Sequence, residues 1–89
     1  MKTIWKFPLS SMDVNYIKMP EGAKILTVQT QMETPCIWAL VNPTAQMTQR
    51  VFRTVGTGHD LPEQNPHNYI GTFQLMAGQL VFHLFEINL

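Results

Sequence analysis

Apolar and polar side chains alternate with a period of two in short runs, and turn-forming residues separate the runs. That is the mark of β-strands lying half-buried in a sheet, where successive side chains point to opposite faces. Between Lys2 and Pro8, Thr3, Trp5 and Phe7 fall on one face and Ile4 and Lys6 on the other. Val14, Tyr16 and Lys18 alternate with Asn15 and Ile17, and Pro20-Glu21-Gly22 ends that run as a tight turn. Proline presets the turn angle there and glycine accepts a positive φ. Lys24 to Gln31 is rich in Ile, Val and Thr, and the corner Met32-Glu33-Thr34-Pro35 leads into Cys36 to Val41. A polar loop opening with Asn42-Pro43-Thr44 runs through Gln49, and Arg50 to Val55 forms the next strand. Tyr69 to Leu75 aligns Tyr69, Phe73 and Leu75 across Gly71, and the turn Met76-Ala77-Gly78-Gln79 delivers Leu80 to Ile87. The pattern predicts one all-β domain over residues 1–89, a compact sandwich or small barrel of about seven mostly antiparallel strands.

Two strands do not fit a small sandwich standing alone. Cys36 to Val41 and Leu80 to Ile87 are apolar on both faces, whereas a sandwich sheet buries one face and turns the other to water. Closing the sheet into a barrel leaves the same outer surface. Composition sharpens the problem: 45% of the chain is apolar and 13% is charged, against roughly 25% charged in an ordinary soluble domain. Interfaces between identical subunits are depleted in charge, so the second apolar faces predict a homo-oligomer. The same composition excludes a disordered chain. The longest apolar run, Ile37 to Val41, falls far short of the roughly 20 residues that span a membrane. Lys2 and Lys6 bracket only three residues, too few for a signal peptide. Cys36 has no partner cysteine and sits between Pro35 and Ile37-Trp38, so it reads as a buried, inert thiol. A soluble cytoplasmic protein is the expectation.

The formal net charge is zero, but its distribution is not even. All six basic residues precede position 54, where only three acids accompany them, leaving that part near +3. Asp60, Glu63 and Glu86 make the remainder acidic, and His59, His67 and His83 lie there too. Parts of opposite sign attract one another within a fold or across subunits. A neutral chain without a clustered basic patch makes nucleic acid an unlikely partner.

Gly56-Thr57-Gly58-His59 is the local candidate for chemistry. It opens the stretch from Gly56 to Asn68, longer than the usual connection. Paired glycines after a strand allow positive φ and expose successive N–H groups that can cradle an anion. Thr57 adds a hydroxyl and His59 a donor, while Arg50 and Arg53 on the preceding strand supply charge. The lysine and following helix of a P-loop are missing. Trp5 and Tyr69 are the aromatics assigned to stack on a base. His59, Asp60, Glu63 and His67 resemble a metal cluster by eye, but Pro62 and Pro66 forbid the helix that would align them, so no metal is assigned. His83, between Phe82 and Leu84, reads as a hydrogen-bonded interior or interface histidine. No nucleophile has a base beside it in the sequence, and neither a catalytic residue nor a cofactor is assigned.

Six segments together carry a resemblance: Lys2 to Leu9, Met19 to Leu26, Pro35 to Val41, Gly56 to His59, Tyr69 to Leu75 and Leu80 to Glu86. They resemble a family of short uncharacterised phage, prophage and bacterial proteins, classed as a domain of unknown function. The resemblance implies a phage-type origin and a stand-alone domain, and it brings no catalytic residue. The resulting expectation is a non-enzymatic phage-type binding protein, in a counter-defence role, that sequesters a small anionic, nucleotide-like ligand. Arg50, Arg53, Gly56, Thr57, Gly58 and His59 would hold the phosphate, and Trp5 or Tyr69 the base. The alternatives are an inhibitor or accessory protein acting on a host protein, and a phage structural or assembly protein.

Overall fold

The computed structural model describes residues 1–62 and 67–88. Seven strands run in chain order: β1 (Thr3–Pro8), β2 (Val14–Pro20), β3 (Lys24–Gln31), β4 (Thr34–Val41), β5 (Met47–Gly56), β6 (His67–Leu75) and β7 (Leu80–Ile87). They form two antiparallel sheets, one of three strands in the order β1-β4-β3 and one of four in the order β2-β5-β7-β6. The fold is therefore all-β and an open sandwich, the first of the two predicted architectures. No helix occurs among the described residues, and so none long and apolar enough to cross a membrane.

The alternation read from the sequence sorts the strands correctly at most positions. Trp5 and Phe7 of β1 pack against the core, whereas Ile4 and Lys6 are exposed. On β4, Ile37, Ala39 and Val41 face inward to meet Phe52 of β5, Phe73 of β6 and Leu84 of β7. Phe52 and Leu84 have no exposed surface, and burial of side chains of this size contributes roughly 1.5–3 kcal/mol each. Among the described residues Asn15 is the one buried polar side chain, and its amide is satisfied. Its Oδ1 accepts from Ser10 N and Ser10 Oγ at 2.9 Å each, and its Nδ2 donates to Met12 O at 3.2 Å. This one side chain thus holds the β1–β2 connection against the sandwich.

Turn chemistry supplies the connections. Gly22 has φ +79° and Ala23 N donates to Pro20 O at 3.1 Å, so Pro20 is the first residue of the turn and not its second. The β3–β4 hairpin is tighter than the predicted corner. Met32 and Glu33 form a two-residue loop with φ of 51° and 64°, the hand that matches strand twist. Glu33 Oε1 accepts from Met76 N at 2.7 Å, tying this hairpin to the β6–β7 turn. The polar loop after β4 is shorter than the sequence suggested, because β5 already starts at Met47.

The larger departure lies in β6. A register shift between Tyr69 and Gly71 leaves Ile70 as an extra residue, a β-bulge. Tyr69 consequently pairs with Phe85 on the outer face, while Phe73 and Leu75 point inward. The predicted alignment of Tyr69, Phe73 and Leu75 fails because the bulge reverses the alternation between them. Gly71 also marks a close approach between the sheets: a Cβ there would lie 2.9 Å from Val28 Cγ1.

Candidate functional site

The predicted site residues separate onto different surfaces. Trp5 lies on the three-stranded sheet, facing the core beside Phe7 with ring centroids 6.3 Å apart. Arg50 faces inward from β5, where Nε and Nη2 hold the two Glu86 carboxylate oxygens at 2.7 and 2.8 Å and Nη1 donates to Ala23 O. This bidentate pair joins the basic and acidic parts of the chain and commits the guanidinium internally. Gly56, Gly58 and His59 form the turn that leaves β5. His59 N donates to Gly56 O at 3.0 Å, Gly58 has φ +86°, and the His59 ring packs so closely on Gly56 that a Cβ would lie 2.8 Å from Nδ1. Glu63 lies outside the described residues.

Arg53, Thr57 and Tyr69, by contrast, meet on the outer face of the four-stranded sheet. Cross-strand neighbours share a face, so registers define its rows. Tyr16, Val51, Ile87 and His67 form one row, and Val14, Arg53, Phe85 and Tyr69 the next. Val55, His83 and Thr72 form a third. Phe85 takes Tyr69 and His67 edge-on at centroid distances of 5.6 and 6.2 Å.

A hydrogen-bonded chain crosses the third row. Thr57 Oγ1 lies 2.8 Å from His83 Nε2, Thr72 Oγ1 lies 2.9 Å from His83 Nδ1, and Tyr69 Oη lies 2.6 Å from Thr72 Oγ1. In a regular strand Tyr69 and Thr72, three residues apart, would face opposite ways; the bulge at Ile70 puts them together. One arrangement gives every hydroxyl hydrogen an acceptor inside the chain. Tyr69 donates to Thr72, Thr72 to His83 Nδ1, His83 Nε2–H to Thr57, and Thr57 to Val81 O at 3.3 Å. The sequence reading of His83 as a hydrogen-bonded histidine holds. It missed that His83 connects Thr57 to Tyr69, and the available signal was Gly71, since glycine inside a strand marks a bulge or a close approach.

Electrostatics set this face apart from the adjoining hollow. Lys18, Arg53, His67 and His83 stand on the face, and no carboxylate does among the described residues. Arg53 forms no ion pair among those residues, and its buried Nε has no partner. The hollow beside the Gly56 turn, about 330 Å³, is lined by Asp13 and Asp60 as well as Arg53 and His59, so two carboxylates there face one guanidinium. Thr57 and His83 resemble a nucleophile and base by distance, yet a threonine stands where an orienting carboxylate would complete a triad.

A family profile for a domain of unknown function matches residues 1–88. No curated protein and no solved structure matches the chain.

Proposed function

The chain belongs to the DUF7352 family, a domain of unknown function, and we propose that it is a non-catalytic binding protein for a small anionic, nucleotide-like ligand. The ligand lies on the outer face of the four-stranded sheet, with its phosphate at Arg53 and its base against Tyr69. One observation carries this reading: among the described residues, Arg53 has no ion-pair partner and sits in the same cross-strand row as Phe85 and Tyr69, on a face with no carboxylate. Thr57 and His83 border the site as hydrogen-bonding groups, and Gly56, Gly58 and His59 serve as the turn that presents Thr57. Arg50 and Trp5 act in the fold.

Calorimetric titration with nucleoside monophosphates and cyclic di- and trinucleotides tests the reading. Arg53→Ala should weaken binding by ten- to a hundredfold, the size of one charge-assisted hydrogen-bonded contact, without unfolding the domain. Flat titrations across the whole panel remove it, and a collapse in stability on Arg53→Ala makes that side chain structural. In a phage or prophage setting the protein would deplete a host signalling nucleotide. Failure to restore plaques on a host defended by such signalling would end the counter-defence part of the reading.

A second reading, contact with another protein chain, is favoured by the other sheet. Ile4, Trp38 and Leu40 keep apolar surface on the outer face of β1 and β4, with Lys6 Nζ 6.0 Å from the Trp38 ring centroid. We propose a second copy of the chain as the first candidate and a host protein as the next. Pull-down from host lysate with a stoichiometric partner favours the latter.

A further inference from the structure

The outer face of the four-stranded sheet is larger than a mononucleotide needs. Its two most exposed aromatics, Tyr16 at 66% and Tyr69 at 59%, stand on β2 and β6, the two edge strands. Three inter-strand spacings and a two-residue offset in register separate them, on the order of 15 Å from sheet geometry. One base stacks on one ring, so no single nucleotide occupies both. Arg53 lies on β5 between the two tyrosines, and Lys18 stands two residues from Tyr16 on the same side of β2. Stacking planes interleaved with cations, on a surface free of carboxylates among the described residues, match the alternating bases and phosphates of a single strand.

Whole-chain charge conceals this. Net charge is zero, but the described carboxylates stand elsewhere. Glu21 and Glu33 are at turns, Asp13 and Asp60 beside the hollow, and Glu86 faces inward to Arg50. The local charge that a ligand meets on this face is positive.

We propose that the outer face of the four-stranded sheet binds a short single-stranded oligonucleotide. Tyr69 and Tyr16 stack on two of its bases, Arg53 contacts a phosphate between them, and Lys18 contacts the next phosphate beyond Tyr16. This rests on the anion-binding reading of Arg53 and extends its ligand from one nucleotide to several.

Fluorescence anisotropy with labelled dTMP and oligo-dT strands of two to eight nucleotides tests the extension, with a duplex of equal length as control. Affinity should rise at least tenfold between dTMP and a four-nucleotide strand, and the duplex should bind more weakly. Tyr16→Ala should remove that rise and leave dTMP binding unchanged, while Tyr16→Phe keeps the ring and retains the rise. Arg53→Ala should weaken every length. Two phosphate contacts correspond to a log–log salt slope of about −1.4. Equal affinity for dTMP and all longer strands, or a length dependence untouched by Tyr16→Ala, overturns the oligonucleotide while leaving the nucleotide reading intact. Binding of the duplex as tightly as the single strand also overturns it. No binding at any length overturns both.

Discussion

At the scale of single residues, two side chains of the same type have opposite fates. Arg50 and Arg53 lie three apart on one strand and therefore face opposite sides of the sheet. The inward one found Glu86, with side-chain exposures of 22% and 15% for the pair. The outward one has no such partner among the described residues. Removing one member of a largely buried pair strands the other charge. Glu86→Ala should cost about 3 kcal/mol, tempered by the remaining solvent access, and urea denaturation measures it. A loss below about 1 kcal/mol would mean that water solvates Arg50 as well as Glu86 does. The hydroxyl chain makes a second prediction: ¹⁵N chemical shifts should report neutral His83 as the Nε2–H tautomer. The Nδ1–H form would mean that Thr72 accepts from the ring and that Tyr69 sends its hydrogen outward.

At the scale of elements, β6 decides what could be read in advance. Approximate strand positions and the face alternation of β1 and β2 follow from the apolar pattern and from Gly and Pro placement, whereas β4, apolar on both faces, showed its inward side only in the packing. The face of Tyr69 does not, because one extra residue inverts the alternation and only strand pairing reveals where it was inserted. Tyr69 therefore stands on the outer face for a reason not visible in the sequence, and Thr72, its partner there, was passed over. Likewise Trp5 was a plausible stacking residue until pairing placed it against the core. Glycine at position 71 answers to the neighbouring sheet as well as to the bulge. Gly71→Ala places a methyl 2.9 Å from Val28 Cγ1, where the listener is a packed core residue with little room to yield. A destabilisation of roughly 1–3 kcal/mol is expected from the overpacking, with the chemical shifts of Val28 moving most. Unchanged stability would mean that β3 and β6 separate freely.

At the scale of the whole molecule, the low charge content and the doubly apolar strands leave two broad sheet surfaces in a body of 39 × 33 × 17 Å. The surface bearing Ile4, Trp38 and Leu40 is the one proposed above to meet a second copy. Light scattering at micromolar concentration should then give twice the monomer mass. Ile4→Lys, at a side chain 57% exposed, should return the protein to a monomer with its thermal midpoint nearly unchanged. A monomeric wild-type protein would end the assignment. Cys36 lies on that same side of the sandwich, on the central strand and in the row of Pro8 and Gln29. It is 2% exposed, and its thiol points to Thr34 O at 3.4 Å. A lone thiol so placed can be alkylated only when β1 or β3 lifts from β4, so the labelling rate times the opening of that sheet. If a second subunit seals the surface, labelling should slow as protein concentration rises. One cysteine, with no chemistry of its own, would then record both the breathing of the sheet and the lifetime of the assembly.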